Sequence, residues 1–120
     1  MTTDSTFIAS ADATLAAIGA ALDAALERDE NAADDGTDWS LIDGILEVEC
    51  GDGSKLIVNR HVPNREIWVA ARSGGFHFRA EAGAWRDSRS GGELAAQLTL
   101  LLRDQAGLVV DLTGLPPPPA

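Results

Sequence analysis

The chain predicts an α+β fold: a two-layer α-β sandwich in which an antiparallel sheet of about six strands carries an N-terminal and a C-terminal helix packed on one face. Three observations lead there. Apolar residues recur at steps of three and four near both ends of the chain. Between those ends lie short runs in which apolar and polar residues alternate. The runs are separated by hairpin-length turns built from Gly, Asp, Asn and Ser. Consecutive strands joined this way pair as antiparallel neighbours. Two helices with one apolar stripe each bury both stripes by lying side by side on the sheet.

The first helix is predicted over residues 5–30. Phe7, Ala11, Leu15, Ile18, Leu22 and Leu26 form its apolar stripe, and Thr3, Asp4 and Ser5 are N-cap candidates. Its opposite face runs Asp12, Ala16, Gly19, Asp23, Glu27, Glu30, and the last three carboxylates project side by side. Like charges at that spacing cost about 0.2–0.5 kcal/mol per pair, and they oppose the helix dipole near its C-terminus. Residues 31–37 read as a polar loop. Strands are predicted at 39–42, 45–50, 55–60, 66–72, 76–81 and 84–88. In the second, Leu46, Val48 and Cys50 alternate with Glu47 and Glu49. In the fourth, Ile67, Val69 and Ala71 point inward and Trp68 outward. Asp43-Gly44, Gly51-Asp52-Gly53-Ser54, Pro63-Asn64 and Ser73-Gly74-Gly75 supply turns.

The second helix is predicted to begin near Gly91. Ser90 and Glu93 have the spacing of a reciprocal capping box. Leu94, Leu98, Leu101 and Leu102 form its stripe, and Gly107 fits its stop. Residues 108–112 are apolar enough to pack back on the domain, which is predicted to span residues 1–112. Residues 113–120 then form an extended tail whose four consecutive prolines keep it out of the core.

Composition narrows the function classes. With 120 residues and 45% apolar content, the chain holds one domain with its own core. A single cysteine, Cys50, allows neither an internal disulfide nor a multi-cysteine metal site, and is expected in the core. Apolar runs look too short to span a bilayer. Residues 1–12 carry two acids and no base, the reverse of a leader peptide. A cytoplasmic protein without membrane contact is expected. Acids are unevenly placed: of 19 Asp and Glu, 13 precede Lys55, where Arg28 is the one base, while 6 acids and 8 bases make up the rest. Such a negative half repels nucleic acid and suits hard cations or basic protein surfaces.

Several stretches carry a family likeness. Asp43-Gly44-Ile45-Leu46, then Gly53-Ser54-Lys55-Leu56-Ile57-Val58-Asn59-Arg60, then Pro63-Asn64-Arg65-Glu66-Ile67-Trp68-Val69-Ala70 resemble the frataxin family, its bacterial members most. Ser73-Gly74-Gly75-Phe76-His77-Phe78, Trp85-Arg86-Asp87 and Gly91 continue the likeness. It covers residues 38–102 well, and the first helix mainly through Phe7, Ile18, Leu22 and Asp23. The resemblance implies the same sandwich and a non-enzymatic, iron-binding regulator of iron–sulfur cluster assembly. Its implied partners are the cysteine desulfurase and the scaffold protein. A monomer is implied, with metal-driven oligomerisation left open.

The resemblance also implies sites. An acidic ridge of Asp23, Glu27, Asp29, Glu30, Asp34, Asp35 and Asp38 would hold iron (Fe²⁺ or Fe³⁺) weakly and exchangeably, as hard oxygen ligands without a cage do. Gly19, Ala20, Ala24 and Ser40 stand where relatives often carry acids, which moves the ridge toward the helix end. Asn59, Arg60 and Trp68 match the family's partner-binding face. His61 replaces a usual glutamine and sits where it could add a ligand near Trp68, while His77 reads as an exposed strand residue. Two other classes compete with the adaptor reading. A metal-independent acidic interaction module needs no iron at the ridge. A ferroxidase needs a buried carboxylate–histidine site, and the chain has no Glu-x-x-His pair.

Overall fold

The computed structural model describes residues 3–119, so Met1, Thr2 and Ala120 lie outside the described residues. Its elements run α1 (Asp4–Arg28), α2 (Glu30–Asp34), β1 (Asp38–Ile42), β2 (Ile45–Glu49), β3 (Lys55–His61), β4 (Glu66–Ala71), β5 (Gly74–Glu81), β6 (Ala84–Asp87) and α3 (Leu94–Ala106). The six strands form one antiparallel sheet in sequence order, a meander. Its tightest turns need left-handed backbone. Asp43 and Gly44 join β1 to β2 at φ 50° and 75°, and Ala82 and Gly83 join β5 to β6 at φ 52° and 78°. Two successive residues of positive φ match the twist of a two-residue hairpin.

Both long helices lie on one face of the sheet. α1 contacts β1, β2 and β3, and α3 contacts β6. Thr3 caps α1 by accepting a hydrogen bond from the Thr6 amide at 3.1 Å. Phe7, Leu15, Ile18 and Leu22 lie fully buried against Leu46, Leu56, Val58, Ile67 and Phe78 from the sheet. Phe7 meets Trp85 edge-on, with ring centroids 6.0 Å apart. Although no contiguous apolar run was expected to suffice, α1 as a whole is long and apolar enough to cross a membrane. Its apolar stripe covers the sheet instead.

Local expectations fail at three places. α1 ends at Arg28 rather than Glu30, and part of the expected 31–37 loop is α2. The cause is Asp29, whose Oδ1 accepts the Ala32 amide at 3.1 Å and starts a new turn that buries Ala32. The Ser90–Glu93 capping box does not form. Glu93 is the N-cap of α3 without a side-chain cap bond. Ser90 Oγ donates to Asp87 Oδ2 at 3.0 Å and accepts from Gly92 N and Gln97 Nε2. The helix therefore starts at Leu94, not near Gly91. Gly107 does end it in the left-handed conformation, at φ 65°.

The third failure is the tail. Residues 115–119 have no regular structure, but they are not detached from the domain. Leu108, Val110 and Leu112 belong to the core, Leu115 packs against it and Pro118 is buried. Proline's fixed φ and missing N–H bar it from a sheet, yet its ring still buries carbon. Truncation before Leu115 is expected to lower unfolding free energy by about 1–3 kcal/mol, measured by chemical denaturation; unchanged stability would show that the tail contributes nothing.

Candidate functional site

Alternation along the meander gives every strand a helix-facing and an outward residue set. Register then builds rows across the outward face. Ile42, Ile45, Asn59, Trp68 and His77 occupy successive paired positions from β1 to β5. The neighbouring row brings His61 opposite Glu66, Glu66 opposite Arg79, and Arg79 opposite Arg86. Ile42 and Ile45 are large apolar side chains left in water, 68% and 50% exposed.

Trp68 lies on this face, as strand alternation predicts, but it does not stand open. His61 stacks on the indole at a centroid distance of 3.6 Å, and His77 stacks at 4.3 Å, both within 9° of parallel. The indole therefore lies between two imidazoles. That arrangement separates the two histidines by the thickness of a ring, so they cannot share one metal ion. Trp68 Nε1 donates to Glu66 Oε1 at 2.9 Å, and Arg79 donates to Glu66 Oε2 at 2.9 Å. Glu66 is only 3% exposed although it stands on the solvent side of the sheet. Burial pushes its carboxyl up, but the hydrogen bonds from Trp68 and Arg79 and the Arg79 charge outweigh burial and leave it below the ordinary range.

Asn59 stands beside Trp68, directly across the β3–β4 ladder. Arg60 does not join them. The residue after Asn59 must point to the opposite face, where Arg60 pairs with Asp12 of α1 and lies over Gly44. Cys50 is buried as expected, and burial pushes its thiol up, away from nucleophile duty.

The acidic residues divide into two sets. Four are engaged locally. Asp23 Oδ1 accepts Trp39 Nε1 at 2.8 Å, and Asp29 caps α2. Asp35 Oδ1 accepts both the amide and the hydroxyl of Thr37, and Asp38 Oδ1 accepts the Trp39 amide. Glu27, Glu30 and Asp34 are exposed around the α1–α2 junction. Among the described residues, no three His, Cys, Asp or Glu side chains are gathered to hold a metal ion. Trp39 is the residue that sequence reasoning overlooked here. Its ring lies so close over Gly19 that a Cβ there would approach within 2.5 Å. The helix surface beside Asp23 is thus roofed by an indole. Glu66 was overlooked too, although its position two residues before Trp68 on the same strand signalled a shared face.

The fold and its two polar surfaces define a small α-β sandwich with a helix-backed acidic side and an uncovered sheet face. Residues 1–108 match the frataxin-like domain, and the chain belongs to the frataxin family. It is 47% identical over 110 residues to the iron-sulfur cluster assembly protein CyaY of Dechloromonas aromatica, covering 91% of this chain and 97% of that one. Among solved structures it resembles frataxin from Psychromonas ingrahamii, with a TM-score of 0.76 and 28% identity over 93% of this chain and 99% of the other. It also resembles trimeric frataxin from the yeast Saccharomyces cerevisiae complexed with ferrous, with a TM-score of 0.54 and 26% identity over 72% and 81%.

Two tests address the site. Glu66→Gln is expected to cost about 1–3 kcal/mol at pH 7, the worth of hydrogen bonds to a charged group. Because the folded carboxyl is held low, its contribution is complete above the ordinary carboxylate range. It disappears as pH falls through the folded value. Wild type and variant should therefore converge in acid, and a gap that persists there would exclude this role. Gly19→Ala should displace Trp39 and cost about 1–3 kcal/mol through overpacking, read as a lowered denaturation midpoint and a shifted Trp39 indole NMR signal.

Proposed function

We propose that the chain is a non-catalytic iron–sulfur cluster assembly factor that docks on a cysteine desulfurase and its scaffold protein. Near full-length similarity to a protein of that named role supports the reading. The observation that carries it is the charge division, with 13 of 19 acids before Lys55 against one base. A surface of that kind attracts a basic partner over a distance set by ionic strength. The outward row around Asn59 and Trp68 supplies a second contact area. It combines exposed Ile42 and Ile45 with an aromatic stack, the composition of a protein contact rather than of a reaction site.

In the same reading, ferrous ions are cargo held loosely by the exposed carboxylates Glu27, Glu30 and Asp34. Hard oxygen donors suit Fe²⁺. Without a gathered set of three ligands, water completes the shell and exchange is fast. The engagement of Asp23, Asp29, Asp35 and Asp38 in local hydrogen bonds favours a second reading. There, the acids serve protein contact and take up no iron.

Desulfurase binding measured by interferometry tests the docking. Affinity is expected to fall more than about tenfold between 50 and 300 mM salt. Absence of binding at the lower concentration would refute it. Anaerobic Fe²⁺ titration by NMR separates the two iron readings. Selective broadening at Glu27, Glu30 and Asp34, abolished by E27Q/E30Q/D34N, is expected for cargo binding; unchanged spectra would establish the metal-independent module.

A further inference from the structure

We infer that His61 is a proton-operated cover on one face of Trp68. The two histidines of the sandwich meet protonation differently. His77 Nδ1 lies 3.9 Å from Glu66 Oε1, so a proton gained there has a carboxylate to face without leaving the indole. His61 Nδ1 is shut from solvent and has no hydrogen-bond partner among the described residues. Neutral imidazole can leave that nitrogen as a bare lone pair, with the proton on Nε2. Imidazolium cannot, because both its nitrogens carry hydrogen. A charged donor buried without an acceptor costs more than its stack on the indole returns.

The groups around the sandwich offer no remedy in place. Among the described residues, no helix covers the outward face. The charged side chains facing the stack are Glu66 from β4, Arg79 from β5 and Arg86 from β6. Glu66 is directed at Trp68, Arg79 and His77, and it makes no hydrogen bond to His61 Nδ1. Arg86 is directed to Glu93 and the Gly91 carbonyl, and Asn59 Nδ2 to the Arg60 carbonyl. Lys55 and Glu47 pair with each other farther along β2 and β3. The connection after β6 meets the stack at the His77 carbonyl, which accepts the Ser88 amide. His61 must therefore leave the indole to find water for its second N–H. It is the last residue of β3, so its ring can swing away without breaking the ladder.

Protonation of His61 thus uncovers one face of Trp68 and adds a positive charge beside it, while His77 holds the other face. If the outward face docks the desulfurase, as in the reading above on which this consequence rests, the contact surface changes with pH.

The test uses the full chain and its two histidines, assigned by H61Q and H77Q. At pH 8.5 the ring protons of both are expected to show ring-current shifts from Trp68 in NMR spectra. Between pH 7.5 and 5.5 those of His61 should collapse to the position of an exposed histidine, with those of His77 retained. The Trp68 indole signal, assigned by W68F, should move in step in wild type and stay fixed in H61Q. A His61 that titrates with its ring-current shift intact, or shows none at any pH, would overturn the inference. In a second arm, desulfurase affinity should change about threefold or more between pH 8 and 6 in wild type and much less in H61Q. An equal change in both would overturn the docking consequence. Absence of binding at every pH, with the NMR transition present, would reject the docking reading and leave the cover established.

Discussion

Burial of one side of the sheet by α1 and α3 is the constraint from which the rest of this molecule follows. A strand offers its side chains alternately to two faces, and the helices cover one. Phe7, Leu15, Ile18 and Leu22 fix which face that is, because they fill the space over Leu46, Leu56, Val58 and Ile67. A slip of one residue in any strand would carry its apolar set into water. The register is thereby held, and so are the outward rows. Trp68, His61 and His77 meet because Ile67, Val69 and Phe78 are needed on the other side.

Helix packing also sorts the charges. α1 presents its carboxylates away from the core, and the α1–α2 junction extends them. The bases come later in the chain, mostly on the strands and the turns between them, where Arg79 of β5 pairs with Glu66 of β4 and Arg72 of one turn with Asp52 of another. Arg60 of β3 and Arg65 of the turn after it tie the two layers together, by reaching Asp12 and Asp4 on α1. The result is one polar side dominated by a single sign and another where opposite charges are neighbours. Long-range attraction belongs to the first, and short-range fit to the second.

Much of this was legible in the residues. Period-two alternation and Asp-Gly or Gly-rich turns located the six strands, because a half-buried sheet leaves that pattern in sequence. Helical stripes located α1 and α3. What stayed hidden was decided by single hydrogen bonds or by three-dimensional neighbours. Nothing in residues 31–37 distinguishes a loop from a five-residue helix until Asp29 is seen to cap Ala32. Ser90 and Glu93 have the right spacing for a cap, but Asp87 and Gln97 compete for the same hydroxyl. Arg60 was grouped with Trp68 through family likeness, although alternation from Asn59 already directed it to the other face. The ridge was drawn as a row of equivalent carboxylates. Trp39 and the local turns make them unequal.

Trp39 bridges the layers, with its ring over Gly19 of α1, its indole N–H on Asp23 and its backbone in β1. The chain's other two tryptophans occupy quite different settings, Trp85 within the core and Trp68 between imidazoles. Nature has therefore installed an intrinsic fluorophore at the seam where helix meets sheet. With Trp68 and Trp85 replaced by phenylalanine, light emitted from that seam would report whether the two layers are together, independently of whatever happens on the far side of the strands.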